Sequence, residues 1–208
     1  MKIDDEIKII CRFCYPPDKY RILYESDHFY VMVSLGAIVE GYLLLISKEH
    51  FESCAQISAQ LRIEFYNIID RIKAILKNQY GSCVFFEHGR STSCLKVPDE
   101  SGSKHCYHAH LHCVPVPFNL NEQITGYPMV FNVRSPSEYF ELCEKINLPY
   151  LFVWDEKMKL YFIETEIRRQ YLRFLVAQGV GKPELWDWLS FPETGTIERT
   201  IRQLKSFF

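Results

Sequence analysis

Tyr107-His108-Ala109-His110-Leu111-His112-Cys113-Val114-Pro115 sets three histidines at alternate positions of an otherwise apolar run. In an extended strand successive side chains point to opposite faces, so His108, His110 and His112 share one face while Tyr107, Ala109, Leu111 and Cys113 turn to the other. A helix would scatter them, because a spacing of two separates side chains by about 200 degrees at about 3.6 residues per turn. The run therefore predicts a strand with an imidazole face on a packed back. Imidazole titrates nearest neutrality among side chains, which suits nucleophilic, acid/base or metal-ligand work. From the residues alone three readings stay open: a solvated polar face, a metal site built from the triad together with Glu87 or His105, and a nucleophilic or acid/base centre.

Outward from this strand, composition sets the limits. A chain of 208 residues can hold one domain, or a domain with a substantial extension. Its 48% hydrophobic and 24% charged content are those of an ordinary globular protein, and a net charge of −2 supplies no general attraction to nucleic acid. No apolar run approaches the roughly 20 residues of a membrane span, and Met1-Lys2-Ile3-Asp4-Asp5-Glu6 is too acidic for a signal peptide, so a cytoplasmic protein without membrane contact is expected. The eight cysteines are then expected as thiols or metal ligands rather than as a disulfide framework. The chain shows no internal repeat, low-complexity tract or phosphate loop of the G-x-x-x-x-G-K type.

His108-Ala109-His110-Leu111-His112 followed by Cys113-Val114-Pro115 resembles the signature of the histidine-triad superfamily. Two other stretches agree with it. Residues 21–51, ending Leu43-Leu44-Leu45-Ile46-Ser47-Lys48-Glu49-His50-Phe51, resemble the family's hairpin and following strand, and Phe85-Phe86-Glu87-His88-Gly89 resembles the strand before the triad. The resemblance covers about residues 8 to 117 and implies an antiparallel sheet with helices.

Cys11-Arg12-Phe13-Cys14 is the informative cysteine pair. A redox pair of this spacing normally opens a helix, whose dipole lowers the thiol pKa, but Tyr15-Pro16-Pro17 disfavours a helix there. A tight turn presenting two thiolates to a zinc ion fits better. The resemblance to zinc-bearing branches of the superfamily implies the remaining ligands, His50 and His108. Cys11, Cys14, His50 and His108 would close a structural zinc site and leave no open position for catalysis.

The resemblance also implies the chemistry. In the family the middle histidine attacks the α-phosphate of a nucleotide, which assigns His110 as nucleophile. His112 would hydrogen-bond phosphate and bridging oxygens, and His108 would orient its neighbour and hold zinc. Transferase branches usually carry Gln in the third position, so His112 favours hydrolysis. The expected activity is a nucleotide hydrolase acting on a dinucleoside polyphosphate or a nucleoside phosphoramidate. A nucleotidyltransferase and a non-catalytic nucleotide-binding or interaction protein are the alternatives. Substrate contacts are expected from Ser34, Glu87, His88, Ser103 and Lys104. Three positions depart from the family pattern: Ser34 replaces the residue that grips the ribose, Tyr42 replaces a common histidine, and Lys104 replaces a common glutamine.

The local pattern predicts a hairpin of residues 21–24 and 29–33, a strand at 42–46, a helix over 58–78 with an apolar stripe, and a strand at 83–86. Further on it predicts helices over 135–145, 165–177 and 197–207, and a hairpin of 150–154 with 160–163. Arg168, Arg169 and Arg173 could reach a phosphate, with a solvated helix face as the default reading, and Trp186 and Trp188 read as packing anchors. The expected fold is α+β: a sheet of about five strands with flanking helices in residues 1–125, and an α/β extension packed on it in residues 126–208. The resemblance implies a homodimer, which the extension could obstruct, and a nucleotide as the ligand.

Overall fold

The computed structural model describes residues 11–90, 108–127, 129–164 and 167–208. Two strands open the fold, β1 (Ile22–Glu25) and β2 (Phe29–Val33), paired antiparallel around the Ser26–Phe29 turn. β3 (Leu43–Ser47) pairs with β2, β5 (His110–Val114) lies between β3 and β4 (Val84–Gly89), and all these pairings are antiparallel. Strands β2 and β3 are buried along their whole length, because both of their faces are covered. The triad strand is thus central, and neighbours on each side satisfy its backbone.

Helix α1 (Arg62–Tyr80) carries the expected apolar stripe, burying Phe65, Ile68, Ile69, Ile72, Ile75 and Leu76. Full burial of each such side chain stabilises by about 1.5–3 kcal/mol. Its first predicted turn is instead a 3-10 segment at Ala59–Leu61, and it ends at Gly81, whose φ of 81° closes the last turn in the left-handed region.

The sheet has eight strands in the order β1-β2-β3-β5-β4-β7-β8-β6, rather than about five. The extra strands come from the C-terminal segment: β6 (Val130–Val133), β7 (Tyr150–Trp154) and β8 (Met158–Phe162). β7 pairs with β4 over five residue pairs, Phe85↔Trp154 to Gly89↔Tyr150, and so covers a row of backbone groups that β4 would otherwise expose. Gly89 permits this, since a Cβ there would lie 1.9 Å from the Tyr150 ring. Helix α2 (Pro136–Ile146) begins as predicted, with the Ser135 hydroxyl accepting from the Glu138 N–H.

Helix α3 spans Tyr171–Gly179 and begins later than the pattern predicts. Gln170 has φ 52°, a left-handed conformation that no right-handed helix can include. Helix α4 (Thr194–Leu204) continues into a 3-10 turn at Lys205–Phe207. No described helix is long and apolar enough to cross a membrane.

Candidate functional site

Strand parity decides what faces the triad. In β5, His110 and His112 turn to one side and Leu111 to the other, where it lines a small apolar space with Phe65 and Ile69 of α1. Register then places Tyr30 and Met32 of β2, Leu44 and Ile46 of β3, and Phe86 of β4 on the triad side. Phe86 stacks on His112 at 4.5 Å between ring centroids, and the Phe13 ring lies 5.0 Å from His110.

At one end of this face the Cys11–Cys14 turn meets the sheet. The Cys14 N–H approaches Cys11 Sγ at 3.4 Å, and the Tyr30 hydroxyl donates to the Phe13 carbonyl at 2.7 Å, which pins the loop to β2. Ligand atoms of Cys11, Cys14, His50 and His108 all lie within 4.8 Å of one another. Cys11 Sγ is 3.3 Å from His108 Nδ1, Cys14 Sγ is 3.2 Å from His50 Nδ1, and the two Nδ1 atoms are 3.2 Å apart. Tetrahedral bonds of about 2.0–2.3 Å around one ion would separate such donors by roughly 3.3–3.8 Å. His108 Nε2 lies 2.6 Å from the Ser47 carbonyl, an acceptor that fixes its proton on Nε2 and leaves Nδ1 for a metal. The four residues therefore form a site that could hold one metal ion, with His108 tied to the sheet from behind.

His110 sits next along the strand. Its Nδ1 is 2.7 Å from the His108 carbonyl, and since a carbonyl only accepts, Nδ1 carries the proton and Nε2 keeps its lone pair. Burial holds the His110 imidazole down to about 4, against the hydrogen bond to the His108 carbonyl, which acts in the opposite direction. His112 is pushed well below the usual imidazole range, also chiefly by burial. His112 Nδ1 lies 2.9 Å from the Tyr42 hydroxyl. Among the described residues no hydrogen-bond partner reaches Nε2 of either ring. The face thus presents neutral imidazoles whose inner nitrogens are engaged.

The C-terminal segment closes around the same face. His88 accepts from the Leu172 N–H at 3.1 Å, at the start of α3, and burial holds it down to about 3. Arg173, one residue on, is 4% exposed and not on a solvated face. Its guanidinium donates to the Gly36 carbonyl at 2.7 Å and to the Trp186 carbonyl at 3.2 Å, and reaches Ser34 Oγ at 3.5 Å. Gly36 also donates to the Pro192 carbonyl at 3.0 Å, and a Cβ on it would meet Trp188 Cβ at 2.5 Å. Trp188 packs as an anchor on this loop, while Trp186 is stacked by Arg168 at 4.6 Å.

Of the substrate contacts expected from sequence, His88 shares the triad side and Ser34 lies buried beside Arg173, its hydroxyl donating to the Leu35 carbonyl at 3.1 Å. Glu87 is on the opposite side. Its carboxylate accepts from the Tyr139 and Tyr150 hydroxyls at 2.8 and 2.9 Å and from the Cys54 N–H at 2.7 Å, so it is consumed in the core and does not reach the triad. Alternation along β4 required this: adjacent residues cannot share a face. The contacts expected from Ser103 and Lys104 lie outside the described residues, as does His105. Phe13 and Arg173 join the site without having been expected there. Phe13 could have been inferred from its place inside the Cys pair; Arg173 sits in a run of arginines whose destination is long-range.

The chain matches the family described as "Protein similar to CwfJ C-terminal" over residues 7–131. A curated relative, zinc finger CCCH domain-containing protein 64 of Arabidopsis thaliana, is 25% identical over 138 residues, covering 65% of this chain. The match spans 20% of that relative's length. Among solved structures, a hypothetical histidine triad nucleotide-binding protein of Sulfolobus tokodaii strain7 is 20% identical, covering 65% of this chain and 88% of its own, with a TM-score of 0.38. Yeast Ap4A phosphorylase, solved in complex with Ap4A, is 11% identical, covering 91% of this chain and 79% of its own, with a TM-score of 0.43. The central triad strand in an antiparallel sheet, within the residues of the family match, bears out a histidine-triad-like fold.

Proposed function

We propose that this chain, which belongs to the family of proteins similar to the CwfJ C-terminal region, cleaves a nucleotide at its α-phosphate through a nucleotidyl-histidine. The observation that carries this reading is the 2.7 Å contact of His110 Nδ1 with the His108 carbonyl, which leaves Nε2 as the nucleophilic nitrogen. In the first step Nε2 forms a bond to phosphorus and the bond to the leaving group breaks. His112 hydrogen-bonds the phosphate and the departing oxygen or nitrogen as charge moves onto it. Water then attacks phosphorus, the P–N bond breaks back onto Nε2, and a nucleoside monophosphate leaves with the water hydroxyl. Dinucleoside polyphosphates and nucleoside phosphoramidates offer the required bond. Cys11, Cys14, His50 and His108 hold a structural zinc ion in this reading, supported by donor spacing and the Ser47 carbonyl behind His108. Domain roles divide accordingly, with residues 1–125 carrying the triad and 126–208 packing on them.

A second reading, a nucleotide-binding or interaction protein without turnover, draws on a specific observation. Arg173, Trp188 and Pro192 occupy both backbone groups and the open side of Gly36, in the loop after β2. The test incubates the purified chain and its His110→Ala variant with both substrate classes, with and without a phosphate or sugar-phosphate acceptor. Release of monophosphate by wild type alone supports hydrolysis, and a transferred product supports a nucleotidyltransferase. Binding without any product supports the second reading.

A further inference from the structure

Tyr42 is fully buried beside the triad, and its surroundings determine where its single proton goes. The Arg173 guanidinium lies 5.2 Å over the Tyr42 ring. A buried phenol proton needs an acceptor, and a guanidinium, which has donors only, offers none. The acceptor within reach is His112 Nδ1 at 2.9 Å. Arg173 is itself held by the carbonyls of Gly36, Leu185 and Trp186 at 2.7, 3.4 and 3.2 Å, which fixes it over the ring.

We infer that Tyr42 is a positioning residue that fixes His112 as its Nε2–H tautomer, with Arg173 of the C-terminal segment packed over the Tyr42 ring. A His112 with Nδ1 accepting must carry its proton on Nε2, the nitrogen that no described residue engages. His110 and His112 then present opposite roles side by side, with ring centroids 4.8 Å apart. His110 Nε2 offers a lone pair, fixed by an acceptor behind it, and His112 Nε2 offers a proton, fixed by a donor behind it. A nucleophile beside a proton donor is what displacement at phosphorus needs, whereas two lone pairs would repel a phosphate. The C-terminal segment meets this network where Arg173 packs over the Tyr42 ring, and it brings no group into the row of histidines. This inference rests on the proposed cleavage for its functional consequence and on the hydrogen-bond network for its structural claim.

The test is the tautomer of His112 by long-range proton–nitrogen correlation in histidine-labelled full-length protein, assigned with His112→Gln and compared with Tyr42→Phe. The Nε2–H form is expected in wild type, with a mixture or the Nδ1–H form in Tyr42→Phe. Alongside, kcat is expected to fall roughly 10- to 100-fold with KM changed less than threefold, up to the low end of the roughly 100- to 10,000-fold that a positioned acid/base group supplies. Should Tyr42→Phe fail to fold, Tyr42→Met, which also removes the donor, provides the second comparison and is expected to lose the preference for the Nε2–H form. An Nδ1–H tautomer in wild type, or an Nε2–H form that persists unchanged in Tyr42→Phe, overturns the inference. Absence of turnover in wild type overturns the proposed cleavage, and the tautomer measurement still decides the role of Tyr42.

Discussion

Two buried ionisable groups on opposite faces of the central sheet are held by tyrosine hydroxyls, with opposite consequences. On the helix face the Glu87 carboxylate receives Tyr139, Tyr150 and the Cys54 N–H, and the two hydroxyl oxygens lie 2.7 Å apart. Both carboxylate oxygens are engaged, so the cluster ties β4 to α2 and β7. On the triad face Tyr42 and the His108 carbonyl engage one nitrogen of each ring and leave the other. Complete satisfaction makes structure, and half-satisfaction of a titratable ring makes a site.

The largest expected effect falls at one end of the triad face, at the metal ligands. His50→Ala or Cys14→Ala is expected to lose the zinc and most of its folding contribution, which reaches about 10–16 kcal/mol in zinc-finger peptides. Metal analysis and thermal unfolding check this; a metal-free wild type with unchanged unfolding in both variants would remove the zinc from the account.

Glu87→Ala tests the helix-face cluster. It strands two hydroxyls and an N–H, at about 1–3 kcal/mol for each group left unpaired, so a loss of about 3 kcal/mol or more is expected in urea unfolding. Turnover of the folded variant is expected to stay within about threefold of wild type. A large fall in kcat at unchanged stability would erase the distinction between the two faces. The pH arm sharpens it. Burial raises the Glu87 carboxyl above its ordinary value despite its donors, so the folded state binds the extra proton. That contribution is full below the unfolded carboxyl pKa, near about 4.3, and is lost as pH rises through the folded value. Glu87→Gln, always neutral, is therefore expected to gain on wild type as pH increases.

The triad shows the reverse sign. His110 is held down to about 4, below its unfolded value of about 6.5, so it stays neutral in the folded protein. Its contribution to stability is present above about pH 6.5 and is lost as pH falls toward 4. The kcat/KM profile is accordingly expected to stay flat through pH 6.5 and fall only in the acid range, without the tenfold loss that an unperturbed imidazole would show by about pH 5.5.

Smallest are the glycine effects. Gly36→Ala adds a Cβ against Trp188 at φ 61°, with an expected cost of about 1–3 kcal/mol and disturbed packing beside Arg173. Gly81→Ala meets nothing within 4 Å but keeps φ 81°, with an expected cost of about 1 kcal/mol and no effect on turnover. Equal effects on activity would deny the C-terminal packing any part in the site.

The triad face was legible because alternation is local: His110 and His112 could share a face only in a strand, and Leu111 marked its back. Cys11 and Cys14 were legible as a metal-binding turn from their spacing and the prolines after them, whereas His50 and His108 were legible only through resemblance, since their meeting with the cysteines joins distant segments. Glu87 was misread although parity forbade it from sharing the His88 face, because the strand end looked solvated. Arg173 was beyond local reading. Its neighbours Arg168 and Arg169 suggest an exposed run, and the Gly36, Leu185 and Trp186 carbonyls that receive it come from separate parts of the fold.

The most direct test is to mix the protein with an α-phosphate-labelled dinucleoside polyphosphate or phosphoramidate, quench within one turnover and measure label bound to protein. The account predicts acid-labile label on wild type, near one per chain at saturation, and none on His110→Ala. Nucleotide bound at equilibrium with no trapped label and no monophosphate released would contradict it.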